Sequence, residues 1–400
     1  MDFVRFGTYS ELFKQPRMPA LFGIGLFVRL PHAAGGMAFT LHVVKTMDMD
    51  YFHAGLAATA AAIGWGIGSP WRGRLIDKQG VRRTLIPSTI IEAVCWLALP
   101  FLPFWWLALV ALIQGCYMVP AFSLVRQAIT VLAPSHLRQA GLSLDAVFTE
   151  LAFVLGPLAG AICVVKFGSR PVLVALGLIT VCTGLALIWF DPPTRTEANA
   201  GKPAGRFKPP AALFAVLGAS LAAAMLFQGV DLTLVRSLEE WKMDHLLGPV
   251  AAVWSAGSII GGLVYGALGK RTNPSVMVAI MSLMTAPAAL AGGPVSLGAW
   301  LILAGLICAP ALTSINEALT DLTPEDRRTE VFGWSGTAMT VGASLCAPLI
   351  GLVLDNAGAR AGYVASAGIG VTAGIAGYAV WRRARTATLS PTDCPEQGRA

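Results

Sequence analysis

The sequence predicts an all-α integral membrane protein of twelve transmembrane helices, built as two six-helix bundles related by a pseudo-two-fold axis. Three observations predict it. Of 400 residues, 55% are hydrophobic and only 13% charged, about half the charged share a soluble domain carries, and the mean hydropathy is +0.66. The apolar residues gather into twelve runs long enough to span a hydrocarbon core, which takes about 20 helical residues. The two halves of the chain also repeat one another at a spacing near 190.

The first six runs lie near 18–44, 53–72, 84–102, 104–125, 140–165 and 171–190; the second six lie near 211–235, 246–268, 275–292, 295–318, 329–354 and 361–381. The first run begins behind a polar segment and has no small-residue cleavage site, so it reads as a first span and not as a removable leader. Between the sets, Asp191 to Pro210 is polar and rich in Pro, Ala and basic residues, the composition of a flexible linker. The expected organisation is a bundle at 1–191, a linker at 192–209, a bundle at 210–383 and a tail at 384–400.

Charge supplies orientation. With the N-terminus inside, the inner loops and tails hold 22 of the 29 Lys and Arg, the outer loops hold six, and Arg29 stands alone within the first run. That bias over short loops places both termini and the linker in the cytoplasm; the expected location is the plasma (inner) membrane. The net charge of +7 is therefore a topology signal, with no basic face interleaved with aromatics that would suit nucleic acid. The seven cysteines include no C-x-x-C pair, so neither a disulfide framework nor a zinc site is expected. No phosphate loop, H-E-x-x-H or G-x-S-x-G motif is present, which removes an ATPase and the common hydrolases and leaves no cofactor, metal or catalytic residue to name.

The internal repeat is carried by matched positions. Pro134 and Arg138 match Pro324 and Arg328; Gly168 and Arg170 match Gly358 and Arg360; Gly73 matches Gly266 at a slightly longer offset. They fall in equivalent loops. Parallel repeats joined by a linker are how many transporters set two domains around a midplane site.

Gly73-Arg74-Leu75-Ile76-Asp77-Lys78-Gln79-Gly80-Val81-Arg82-Arg83 lies between the second and third runs. It resembles the loop signature of the major facilitator superfamily, G-x-L-x-D-[RK]-x-G-x-[RK]-[RK], with Gly73, Asp77, Lys78, Gly80, Arg82 and Arg83 at the defining positions. The glycines permit a tight turn, the acid can accept hydrogen bonds from a helix N-terminus or an arginine, and the basic residues hold the loop inside. In that family the loop latches the two halves. The counterpart in the second half, Gly262 to Arg271, keeps the glycines and the basic end but has no acid, so a symmetric latch is in question. Gly156-Pro157-Leu158-Ala159-Gly160 resembles the core of the family's antiporter signature, without its upstream glycines; the plain alternative is a small-residue packing seam. The run Leu144 to Pro157, with Arg29-Leu30-Pro31 and Gly229 to Glu240, is similar to a large bacterial group within the family. The resemblance implies alternating access driven by an ion gradient.

Ionisable groups inside a span cost about 2.5–3.5 kcal/mol at the helix centre, so each needs a reason. Arg29 lies eleven residues into its run and Glu150 ten into its own, both roughly 15 Å deep at 1.5 Å per residue. Equal depth makes them a candidate buried pair. A carboxyl in a dry, unpaired site favours its neutral form, the property a proton carrier needs, whereas a neighbouring cation keeps it charged. Glu150 is thus the candidate proton exchanger, with Arg29 pairing with it or binding an anionic group of the substrate; a fixed ion pair is the alternative. Asp145, five residues into its run, is expected to face the basic residues of the gating loop. Glu92 reads as a structural partner in a peripheral helix, and Asp231 as a second site candidate, since the resemblance has its helix lining the cavity. Gln114 and Tyr117 are polar points on the fourth run and further substrate-site candidates, and Asn316 and Glu317 end the tenth; all four could line a cavity or simply hydrogen-bond to neighbouring helices. His32 and His42 read as satisfied structural residues.

The expected function is proton-coupled efflux of a small organic solute by a monomer in the lipid bilayer. Proton-coupled uptake and a non-transporting sensor on the same fold are the alternatives.

Overall fold

The computed structural model describes residues 7–196 and 207–388. Parts of the expected linker (197–206) and tail (389–400), with Cys394, lie outside the described residues. Backbone polar groups have no solvent partner inside hydrocarbon, so the spanning segments satisfy them within each helix. The helices are α1 (Gly7–Lys14), α2 (Met18–Leu41), α3 (Tyr51–Gln79), α4 (Val81–Ala98), α5 (Phe104–Tyr117), α6 (Ala121–Leu132), α7 (Arg138–Phe167), α8 (Ser169–Phe190), α9 (Ala211–Glu240), α10 (Leu247–Leu268), α11 (Pro274–Thr285), α12 (Pro294–Leu322) and α13 (Arg328–Thr388).

Among the described residues, nine helical stretches are long and apolar enough to cross a bilayer. One of them, Glu325–Arg383, folds back at Gly358 and crosses twice. Tyr51–Gln79 and the shorter apolar Pro274–Leu290 complete the twelve. Each half has its own apolar interior, one around Trp96, Leu107 and Leu173, the other around Leu234, Met281 and Leu301. Ile90, Val94, Trp105, Leu185, Trp189 and Leu352 are exposed, as suits a perimeter solvated by lipid chains.

The repeat at 190 is visible atom by atom. The Arg138 Nε donates to the Ala133 carbonyl at 3.4 Å, and the Arg328 Nε to the Thr323 carbonyl at 2.9 Å. Gly168 and Gly358, at φ 82° and 73°, each form a one-residue corner between consecutive helices. Positive φ at these corners is costly for any residue with a Cβ.

Two elements differ from expectation. The fourth run is not one helix ending near 125; it breaks at Met118–Pro120 and continues as α6 to Leu132. Proline has no N–H and pushes the residue before it out of the helical region, which frees the Val119 amide. The Gly73–Arg83 motif is not an open loop. Its first seven residues finish α3, Gly80 alone turns the chain at φ 87°, and Arg82 and Arg83 begin α4. Lys78, Arg82 and Arg83 are exposed there, and Arg82 pairs with Asp191 at 3.0 Å.

The Gly156–Gly160 motif, in α7, sits in a tight crossing. A Cβ on Gly156 would stand 2.5 Å from the Ala33 Cβ, and one on Gly160 2.7 Å from the Ala34 carbonyl oxygen. Small residues four apart thus let α7 close on α2, with Pro157 between them in the same helix. Gly156→Val is expected to lower stability by about 1–3 kcal/mol through overpacking, read as a lower melting temperature in detergent. Gly36→Ala, on α2 with nothing within 4 Å, should leave the melting temperature near that of the parent.

Candidate functional site

The close α2–α7 crossing brings together the most deeply buried charges. Arg29 donates to the Asp145 Oδ1 at 2.6 Å, and the Arg126 Nε to its Oδ2 at 3.2 Å. Asp145 has no exposed surface and Arg29 only 1%. The Phe122 ring lies 5.0 Å from the Arg29 guanidinium and 6.0 Å from that of Arg126, within cation–π range. Arg29 therefore pairs with Asp145 and not with Glu150, and Asp145 is an internal anion that does not face the gating loop. The reason is side-chain direction: a long side chain on a helix leans toward the N-terminus. The Arg29 head group thus sits below its own backbone, at the level of Asp145. Arg126 belongs to this site although it reads as a loop residue when the fourth run is ended at 125. The apolar residues Ala128, Ile129, Val131 and Leu132 that follow it are the signal that it is inside.

A second network serves the helix break. The fully buried Glu92 accepts from the freed Val119 amide at 3.0 Å and meets the His32 Nε2 at 2.9 Å. Arg72 is buried, donates to the Thr84 carbonyl and lies over the rings of Trp71 and Tyr117. Tyr117 meets Trp71 edge-on at 5.4 Å, and Gln114 is buried on α5. Glu92 and His32 are thus hydrogen-bonded to each other. Gln114 and Tyr117 lie inside the first half. His42, also buried, bonds to the Ser169 hydroxyl at 2.8 Å.

Glu150 and Asp231 stand apart from these networks. Glu150 is half-buried, accepts from the Ser255 hydroxyl across the halves at 3.4 Å, and lies within electrostatic reach of Asp231. Asp231 is exposed, yet it is also within reach of Cys308 on α12 and Tyr363 on α13. Among the described residues neither carboxylate takes part in an ion pair.

The halves are joined at the end that carries the 191–210 connection, called here the linker end. The Asp77 Oδ2 accepts from the Glu330 amide in the first turn of α13 at 2.9 Å, where a helix has free N–H groups and a positive end. A Cβ on Gly73 would run into the Thr329 carbonyl. Further up this seam, the Thr337 hydroxyl donates to the Gly66 carbonyl at 2.6 Å. On the other seam the Ser143 hydroxyl donates to Thr313 at 3.3 Å. Glu317 is buried close to this end and accepts from Tyr265 at 3.3 Å, and Asn316 is buried beside it. Among the described residues, hydrogen bonds between the halves reach as far as Glu150 and Ser255 and none lies beyond.

Twelve spans in two repeated bundles, hydrogen-bonded to each other at one end, are the architecture of a membrane transporter. The Major Facilitator Superfamily model matches residues 21–242 and 244–395, and the chain belongs to that superfamily: it is a multi-pass membrane transporter and not an enzyme. It is 22% identical over 332 residues to the multi-drug resistance efflux pump PmrA homolog of Lactococcus lactis subsp. lactis (strain IL1403), covering 78% of this chain and 79% of that protein. Among solved structures it is similar to the transporter FucP in the outward conformation, with a TM-score of 0.67 at 16% identity over 92% of this chain and 97% of that one. It is also similar to a bacterial homologue of the iron transporter ferroportin in an outward-facing state with soaked iron, with a TM-score of 0.68 at 14% identity over 92% and 98%.

The two kinds of carboxylate should separate on mutation. Asp145→Asn leaves two buried arginines sharing no anion, and is expected to cost about 3–5 kcal/mol. Glu150→Gln removes a charge that pairs with nothing, and should leave thermal unfolding in detergent close to wild type.

Proposed function

We propose that the chain exports a small organic solute in exchange for protons, by alternating access of the cleft between its halves. The observation that carries this is the Glu150–Asp231 pair: two carboxylates, one from each half, lie close enough to interact electrostatically, and among the described residues neither takes part in an ion pair. Like charges so placed repel and oppose closure of the cleft at that level. Protonation removes the repulsion, as does a solute that brings its own positive charge, and either one then biases the two-state equilibrium. Competition between proton and solute for the same carboxylates is what exchange requires. Arg29, held by Asp145, has the fixed role of keeping α2 and α7 in register.

Export as the direction is supported by the distant Lactococcus lactis relative, described as an efflux pump. The expected site is the plasma membrane with both termini cytoplasmic. Removing Arg72 and Arg126, which are buried, from the inner count leaves 20 basic residues against six, and the bias holds. With that orientation the linker end is the inner end, and it is there that the halves are hydrogen-bonded together. A monomer suffices, because the cleft lies within one chain.

Solute-induced proton movement in proteoliposomes tests this, across a panel of organic cations, anions and neutral compounds. Proton release on solute uptake that disappears in Glu150→Gln is the expected result. Movement of proton and solute in the same direction would replace export by symport, and coupling that survives in both Glu150→Gln and Asp231→Asn would overturn the proton role of the pair.

A further inference from the structure

The two halves meet along two seams at the linker end, and the known motif latches only one of them. At the offset that matches Gly73 to Gly266, Asp77 falls on Lys270, so the α7/α10 seam has no acid with which to catch a helix N-terminus. It is nevertheless closed tightly. A Cβ on Gly262 would stand 3.0 Å from the Val147 Cγ2, and one on Gly266 2.8 Å from the Ser143 Cβ and against the Tyr9 hydroxyl. The carbonyl end of α10 is also satisfied from across the seam. The Gln139 Nε2 donates to the Tyr265 carbonyl at 3.2 Å and to the Lys270 carbonyl at 3.0 Å. The Tyr9 hydroxyl donates to the Leu263 carbonyl at 2.8 Å.

We propose that Tyr9 and Gln139 form a second latch, which closes the α7/α10 seam with the donor and acceptor roles of the Asp77 latch exchanged. Gln139 is 190 residues before Thr329, so it occupies in the first half the register that adjoins the Glu330 amide caught by Asp77. On one seam a side chain at the end of a helix accepts from the next half's free amide. On the other a side chain at the start of a helix donates to carbonyls at and just beyond the end of the next half's helix. Both satisfy orphan groups at helix termini, and each breaks when the halves part at this end. Tyr9 adds a strap from outside the repeat. Helix α1 is anchored by Leu12, which is fully buried, and by the Glu11–His136 pair at 3.0 Å, so the Tyr9 ring reaches from the first half onto α10. Burial pushes the Tyr9 phenol above its ordinary value, and the hydroxyl keeps the proton it donates.

The inference rests on the alternating-access reading, and the test separates the two. Spin labels at Ser135→Cys and Lys270→Cys, both exposed positions flanking the seam, are placed in the full-length protein with its native cysteines replaced, in nanodiscs. Electron–electron resonance then gives the open-to-closed ratio at this end. Tyr9→Phe removes one hydrogen bond and Gln139→Ala two, and each is expected to raise that ratio about threefold to tenfold. Gln139→Glu keeps the size but turns a donor toward two carbonyls into an acceptor, and should raise it further. The melting temperature should stay near the parent's, which a merely structural role would not allow. Unchanged distance distributions in all three variants overturn the second latch. If Asp77→Asn, measured beside them, also leaves the distances fixed, the alternating-access reading falls with it.

Discussion

Inside hydrocarbon no polar group can borrow a partner from solvent, and that constraint organises this protein from the backbone outward. It makes the spans helical. It also explains why the break at Pro120 is accompanied by Glu92: the freed Val119 amide needs an acceptor, and a carboxylate brought there needs His32 in turn. The same demand assembles Arg29, Asp145 and Arg126 into one cluster where helices α2, α6 and α7 converge. Most buried charge in the first half is thus accounted for by structure. Against that background Glu150 and Asp231 are conspicuous, because among the described residues neither takes part in an ion pair.

The spans, the corners and the repeat were legible in the sequence because each depends on local pattern. Apolar runs, a glycine where φ must be positive, and basic residues in short turns are all visible along one dimension. The Arg29–Asp145 contact was not, because counting residues compares backbone depths while the guanidinium ends well below its own Cα. Arg126 was lost to a span ended too early, although Pro120 was in plain view as the reason that span is two helices. Tyr9 had no pattern to announce it, since its helix is only eight residues long. Gln139 is an uncharged residue in the first turn of α7, a place where periodicity carries no information about partners across a seam.

The pseudo-symmetry therefore preserves geometry more faithfully than chemistry. Arg138 and Arg328 make the same bond to the same backbone position, yet the two seams between the halves are held by side chains of opposite hydrogen-bonding sense. Fold similarity at 14–16% identity is compatible with this, because a helix terminus can be satisfied in more than one way.

The single-residue corners at Gly168 and Gly358 bear on how such a molecule transmits force. A hairpin joined by one residue has no slack, so α7 with α8, and likewise the two arms of α13, behave as stiff forks and not as independent rods. Tilting the arm that faces the cleft must swing the arm that faces lipid. In the alternating-access cycle proposed above, the thickness of the surrounding bilayer would act on the cleft through these forks.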